Sequence, residues 1–251
     1  MLNMLDLSGK RVLVTGASSG LGQHFSRVLA RAGAEVVVAA RRKEALDDLV
    51  SEIVAGGGRA ASVKLDVTSG ASIAAALDAA GPIDVLVNNA GVTNTKPVLE
   101  QTEEDFDFIL GTNLKGSFLV ATEAARRMRD SGTAGSIVNV ASILGLRQGG
   151  QVTPYAISKA AVIQMTKQLA LELARNNIRV NALAPGYVST ELNEEFFGSD
   201  AGKALIKRIP QRRLGQLDDL DGPLLLLASD CSRYMTGAVI AVDGGHLLSS
   251  L

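Results

Sequence analysis

The sequence predicts a three-layer α/β protein built on a doubly wound, parallel seven-stranded sheet with helices on both faces. Short runs rich in Val, Ile and Ala alternate with longer helical patterns along the whole chain. Strands that are apolar on both faces belong to a parallel sheet covered by helices. A glycine-rich Thr15-Gly16-Ala17-Ser18-Ser19-Gly20-Leu21-Gly22 follows the first of those runs and precedes the first helical pattern. At 251 residues, 47% hydrophobic and 20% charged, the chain suits one large α/β domain over 1–251 and is short for two.

In chain order, strands are expected at Arg11–Thr15, Glu35–Ala40, Ala60–Leu65, Asp84–Asn88, Ser136–Ala141, Arg179–Ala184 and Val239–Val242. Helices fit between them at Gly20–Ala32, Lys43–Ala55, Gly70–Ala80, Glu103–Asp130, Thr153–Asn176 and Asp218–Ser229. Thr153 followed by Pro154 reads as a cap and a first helical position, and Asp218 with Asp221 gives a weaker capping signal. Gly56-Gly57-Gly58 and Gly132-Thr133-Ala134-Gly135 read as turns. The segment 187–213 follows a strand end, carries Phe196, Phe197 and Gly198, and has no regular period. A loop of that length in a compact domain reads as a substrate lid; the alternative is a surface excursion that packs its own aromatics.

Composition excludes several classes of function. A net charge of -1 offers no field for nucleic acid or an anionic membrane. Arg126-Arg127 and Arg212-Arg213 read as solvated faces. The single cysteine, Cys231, cannot form an internal disulfide, and no Cys/His cluster has metal-ligand spacing, so no metal is expected. His24 and His246 lack carboxylate neighbours in sequence and read as structural or exposed. The N-terminus has no signal-peptide pattern, and the apolar stretch Leu224–Ala228 is too short to span a bilayer. A cytoplasmic setting is expected.

The glycines at 16, 20 and 22 fall in the first βα turn. Glycine there permits unusual backbone angles and lets the main chain approach a pyrophosphate, while the helix start supplies unpaired N–H groups and a positive dipole end. The spacing is G-x-x-x-G-x-G rather than G-x-G-x-x-G. An acid at the end of the second strand would accept the adenosine ribose hydroxyls. This chain has Ala39-Ala40 there, followed by Arg41-Arg42, and two guanidinium groups suit a 2′-phosphate. NADP(H) is therefore expected over NAD(H), with Arg41 as the main contact; the alternative is that both arginines face water.

Tyr155 and Lys159 stand four residues apart in Pro154-Tyr155-Ala156-Ile157-Ser158-Lys159, hence on one face of a helix. An ammonium there can stabilise a tyrosinate and lower the pKa of the phenol. Together with Ser142 upstream, these residues suggest a proton donor placed beside a bound dinucleotide.

Those residues, with Asp66-Val67, Asn88-Asn89-Ala90-Gly91, Asn113, Pro185-Gly186 and Asp243-Gly244-Gly245, closely resemble the short-chain dehydrogenase/reductase family in its short, single-domain Rossmann branch. The match runs almost end to end. The resemblance implies that Tyr155 is the general acid in carbonyl reduction and the general base in alcohol oxidation, and that Lys159 lowers its pKa and bonds the nicotinamide ribose. It implies that Ser142 holds the substrate oxygen and that Asn113 anchors a water linking Lys159 to solvent. Gly16, Ser18, Ser19, Gly20, Leu21 and Gly22 would hold the pyrophosphate end; Asp66 would cap the adenine with Val67 beside it; Asn89, Ala90 and Gly91 would line the adenosine-ribose side. Pro185, Gly186, Val188 and Thr190 would border the nicotinamide. The family also implies dimers or, more often, tetramers.

Around the reaction centre the resemblance places Ile143, Leu144, Leu146, Val152, Leu192, Phe196 and Phe197, a mainly apolar pocket, with Glu191, Glu194 and Glu195 disfavouring an anionic substrate. The expected reaction is hydride transfer between NADP(H) and a small or medium uncharged ketone or secondary alcohol. A 3-oxoacyl thioester reductase is the alternative enzyme; the arginine usual in such carrier-protein reductases is replaced here by Leu171. A dinucleotide-binding regulatory protein without turnover is the alternative from another class, and the intact Asn113, Ser142, Tyr155 and Lys159 argue against it.

Overall fold

The structure, a computed structural model, describes residues 5–189 and 194–248. Seven parallel strands form one sheet in the order β3-β2-β1-β4-β5-β6-β7. They are β1 (Arg11–Thr15), β2 (Glu35–Ala40), β3 (Arg59–Lys64), β4 (Val85–Asn88), β5 (Gly135–Val140), β6 (Ile178–Pro185) and β7 (Val239–Val242). The chain moves outward from β1 to β3 and then returns to pair β4 against the other side of β1. That reversal opens a crevice beyond the carboxyl ends of β1 and β4, where sheets of this kind take ligands.

Each strand divides its side chains between two cores. In β1, Val12 and Val14 face α1 (Gly20–Arg31), α2 (Lys43–Ala55) and α9 (Asp221–Ala228), while Leu13 faces α3 (Gly70–Ala80), α5 (Ser117–Asp130) and α6 (Thr153–Leu173). All three are fully buried. Burial of such a side chain stabilises by roughly 1.5–3 kcal/mol, so a strand that is apolar on both faces is locked between the two helical layers. No helix among the described residues is long and apolar enough to cross a membrane.

Several boundaries differ from the expectation for local reasons. The helix expected over Glu103–Asp130 is interrupted: α4 (Glu103–Leu110) passes through a π-helical segment, Gly111–Gly116, before α5 begins. A capping box between Thr102 and Asp105 starts α4. Thr153 is the first helical residue of α6 and not its cap; Val152 holds that place without a side-chain bond. Asp218 is not the cap before α9 either, because Gln216 and Asp219 form a capping box around the 3-10 turn Leu217–Leu220. Gly135 belongs to β5 rather than to the preceding turn.

The segment 187–213 is more regular than expected. It holds α7 (Glu194–Gly198) and α8 (Asp200–Ile206), and its base is closed by Val188 pairing with Gly215. Gly215 N donates to Tyr187 O at 2.9 Å and Ser189 N donates to Gly215 O at 2.9 Å. His24 also departs from the sequence reading. Its Nε2 lies 2.6 Å from an oxygen of Asp221, and with Asp218 the three groups fall within 4.8 Å of one another. The fold brings those partners together; their separation in sequence hides them.

Candidate active site

A cleft of about 1130 Å³ runs along the carboxyl ends of the strands. Gly16, Ser18, Ser19, Gly20, Leu21, Arg41, Arg42, Asp66, Val67, Asn89, Ala90, Gly91, Ser142, Tyr155, Lys159, Pro185, Gly186 and Val188 all line it. Gly22 and Asn113 are behind the wall and shape it. Leu144 and Phe196 are off the wall. Thr190, Leu192 and Glu191 lie outside the described residues, as do the side chains of Glu194 and Glu195.

At the phosphate end the main chain makes the surface. Gly16 and Gly20 have φ of +66° and +54°, a region that disfavours side chains. A Cβ on Gly22 would fall 2.4 Å from the Gly16 carbonyl oxygen, whereas one on Gly20 would project into open space. The first contact explains why the turn is closed so tightly onto α1; the second leaves the approach open for a ligand. Asn89 fixes the turn from behind by donating from Nδ2 to Thr15 O at 3.0 Å, while Thr15 Oγ1 accepts from the main-chain N–H groups of Asn89 and Ala90.

The two arginines at this end are held differently. Arg42 is the one docked on the turn, donating to Ser18 Oγ at 3.1 Å and Ser19 Oγ at 3.0 Å. Arg41 lies within electrostatic reach of Asp66. The Asp66 carboxylate is held below its ordinary range chiefly by Thr68, whose hydroxyl and main-chain N–H both donate to it, with Arg41 adding a smaller effect.

At the reaction end, side chains make the surface. Ser142 follows β5 at the start of the 3-10 turn Ile143–Gly145, and its Oγ accepts from Leu144 N at 3.1 Å. The same hydroxyl bonds the Tyr155 phenol. Lys159 is buried one turn further along α6. Its Nζ donates to Val140 O at 2.8 Å and stands 5.6 Å from the Tyr155 ring centroid. Close backbone packing sets this register: a Cβ on Gly145 would fall 2.7 Å from the Lys159 carbonyl carbon. Asn113 is fully buried in the π segment. It accepts from Val92 N at 2.7 Å and donates to Val92 O and to Ser158 Oγ at 2.9 and 3.0 Å. Asn113 sits in a π turn, a feature frequent at functional sites, and it braces Val92 and α6 together.

Burial dominates the electrostatics here. It pushes the Lys159 ammonium down from 10.5 to about 8 because a dry site disfavours the charged form. The Tyr155 phenol moves opposite to the lowering expected from Lys159: burial pushes it up, and the Ser142 hydrogen bond opposes that rise.

Two further residues escaped the sequence reading: Tyr187 lines the cleft next to Gly186, and Gly145 seats the Ser142 turn on α6. A tyrosine directly after Pro185-Gly186 at a strand end was the available signal for the first. Phe197, not Phe196, is the inward aromatic of the segment 187–213: it is 8% exposed with its ring 5.9 Å from Tyr187, while Phe196 is 48% exposed. Leu146 is likewise largely exposed.

A family model described as Enoyl-(Acyl carrier protein) reductase matches residues 16–246. The L-rhamnose 1-dehydrogenase (NAD(P)(+)) of Azotobacter vinelandii is 41% identical over 249 residues, covering 95% of this chain and 97% of that protein. The 3-oxoacyl-[acyl-carrier-protein] reductase FabG of Thermotoga maritima is 42% identical over 248 residues, covering 97% and 100%. Among solved structures, a gluconate 5-dehydrogenase from Burkholderia cenocepacia J2315 in complex with NADP and tartrate superposes with a TM-score of 0.95 at 37% identity over 99% of both chains.

Proposed function

The chain belongs to the short-chain dehydrogenase/reductase family, and from that premise we propose an NADP(H)-linked enzyme interconverting a ketone and a secondary alcohol, with Tyr155 as general acid and base. Its relatives are NAD(P)-dependent oxidoreductases, and the chain is an oxidoreductase acting on CH–OH groups. The observation that carries the finer reading is the convergence of Ser142, Tyr155 and Lys159 on the same cleft as the glycine turn.

The residues fit a dinucleotide phosphate. Open space faces Gly20, and Arg42 is already oriented by two hydroxyls at the mouth of the turn. Arg41 beside Asp66 adds a second cation at the same end. Bound NADP(H) supplies or accepts the hydride. In reduction, Tyr155 delivers its proton to the substrate oxygen as negative charge develops there. Ser142 Oγ accepts from Leu144 N, so its own proton points to Tyr155 or to the substrate oxygen. In oxidation, the phenolate form of Tyr155 takes the alcohol proton and is neutralised, and the Lys159 ammonium 5.6 Å from its ring favours the negative charge that the phenolate carries before the transfer. Asn113 holds α6 and the main chain at Val92 around these groups.

Two of the similar proteins are named for polyhydroxylated compounds, which supports a hydroxylated substrate in place of the apolar ketone expected from the pocket. The Thermotoga relative supports a 3-oxoacyl thioester instead. Self-association as a homotetramer or homodimer belongs to the same reading, since Phe106, Phe108 and Phe118 are 40%, 51% and 45% exposed along α4 and α5. A screen of sugars, sugar acids, simple ketones and acetoacetyl-CoA with both cofactors tests the proposal. NADP(H)-dependent turnover of a CH–OH or ketone substrate is expected. Binding of NADPH without turnover of any compound would make the protein a regulatory binder.

A further inference from the structure

Outside the cleft, one nitrogen and two carboxylates converge where α1 meets the start of α9. His24, in the second turn of α1, directs its Nε2 at both acids: 2.6 Å from Asp221 Oδ1 and 3.8 Å from Asp218 Oδ1. The three ligand atoms lie within 4.8 Å of one another. Asp221 opens α9 and Asp218 stands in the 3-10 turn before it, and the i, i+3 spacing puts both on one side of that turn. None of the three lines the cleft, although Leu21 and Leu217, close to them in sequence, do.

The charges at this spot are unbalanced. Asp219 is committed elsewhere: it accepts from Arg213 at 2.6 and 2.9 Å and from Gln216 N at 2.7 Å. Asp218 and Asp221 have no lysine or arginine partner among the described residues, and the His24 imidazole alone faces them. An imidazole carries at most one positive charge. A divalent cation would neutralise both carboxylates and take the neutral ring nitrogen as its third ligand.

The spacing suits a small ion. Ligand atoms held about 2.0–2.2 Å from a tetrahedral Zn²⁺ stand about 3.4 Å from one another. The observed 2.6 and 3.8 Å bracket that value, so rotation of the two carboxylates is enough to admit the ion. Burial is graded in the same sense. The His24 side chain is 10% exposed and fixed in place, whereas that of Asp218 is 86% exposed, able to swing and open on its outer side to water. One nitrogen with two oxygens favours a borderline cation over Ca²⁺ or Mg²⁺, which prefer oxygen alone.

We propose that His24, Asp218 and Asp221 bind one Zn²⁺, with water completing its shell, and that the ion ties α1, the helix leaving the glycine turn, to α9. The site is structural, because none of its ligands reaches the cleft. It departs from the expectation of no metal, which spacing along the chain supports because His24 and Asp221 are 197 residues apart.

The test is equilibrium dialysis against micromolar Zn²⁺ in excess Mg²⁺, with wild type, His24→Gln, Asp218→Asn and Cys231→Ser, and thermal midpoints with and without Zn²⁺. Wild type should bind one Zn²⁺ per chain, and the ion should raise its midpoint, as any ligand of the folded state does. His24→Gln and Asp218→Asn should each weaken binding by at least the roughly 10- to 100-fold that even an outer-shell partner costs. Cys231→Ser should bind as wild type does, and Co²⁺ bound in place of Zn²⁺ should show no thiolate charge-transfer band. Asp218 is exposed, so Asp218→Asn keeps the fold and the test stands even if His24→Gln does not fold. Absence of saturable binding to wild type would make the cluster a plain ion pair and overturn the inference. Unchanged affinity in Asp218→Asn, or binding lost in Cys231→Ser, would overturn it as well.

Discussion

The two ends of the cleft are built from different materials. At the glycine turn, main chain meets solvent: glycines at positive φ form the surface and the charged groups beside them are the exposed Arg41 and Arg42. At the reaction end, Asn113, Ser142, Ser158 and Lys159 are all buried, and every polar group is held by a named partner. The contrast separates two tasks. Exposed charges choose a cofactor at little cost to the fold because water screens them. Buried groups do chemistry because burial shifts their proton affinities, and the fold bears the desolvation.

The largest expected effect is at Tyr155. Tyr155→Phe removes the proton that the substrate oxygen needs and should lower kcat roughly 10²- to 10⁴-fold, the span of general acid–base catalysis; steady-state NADPH oxidation measures it.

Lys159→Met sharpens the contrast through stability. The folded-state pKa of Lys159 is lowered from 10.5 to about 8, so between those values the unfolded chain binds more protons than the folded one, and wild-type stability rises with pH. The penalty is fully present below pH 8 and amounts to about 3 kcal/mol by the usual conversion of 1.36 kcal/mol per pH unit. Urea unfolding at pH 7 and pH 10 should therefore show wild type gaining about 2.5 kcal/mol relative to Lys159→Met. A pH-independent difference would mean that Lys159 is not desolvated.

Smaller effects belong to the other end. Gly22→Ala would drive a Cβ to 2.4 Å from the Gly16 carbonyl oxygen, a backbone atom with no easy escape, and should cost about 1–3 kcal/mol in urea unfolding together with weaker cofactor binding. Arg42→Ala should change the NADPH-to-NADH affinity ratio by about fivefold, close to 1 kcal/mol for an exposed charge contact, with kcat nearly unaltered. A loss of kcat as large as that of Tyr155→Phe would erase the distinction between the ends.

The same contrast explains what was legible in the sequence. Backbone requirements leave glycines, so the turn at Gly16, Gly20 and Gly22 could be read directly, as could the strands whose apolar runs fix β1 and β2 to the residue. The spacing of Tyr155 and Lys159 survived because one helix carries both. Contacts made across the fold left little trace. His24 and Asp221 meet only after α9 packs on α1, and the π turn that holds Asn113 is hidden in a helical period flanked by Gly111 and Gly116. The raised pKa of Tyr155 is hidden for the same reason: spacing shows a neighbouring charge, but not the burial around the phenol. Tyr187 went unread because its place depends on the path of the C-terminal segment back to His246, whose ring lies 5.5 Å from that of Tyr187.

The separation of choice from chemistry is tested most directly by measuring NADPH affinity and turnover together in wild type, Tyr155→Phe and Arg42→Ala. The expected result is a crossing: Tyr155→Phe keeps its NADPH affinity within a few-fold and loses turnover, whereas Arg42→Ala keeps turnover and loses preference for NADPH over NADH. Full turnover in Tyr155→Phe, or a joint loss of both properties in either variant, would contradict it.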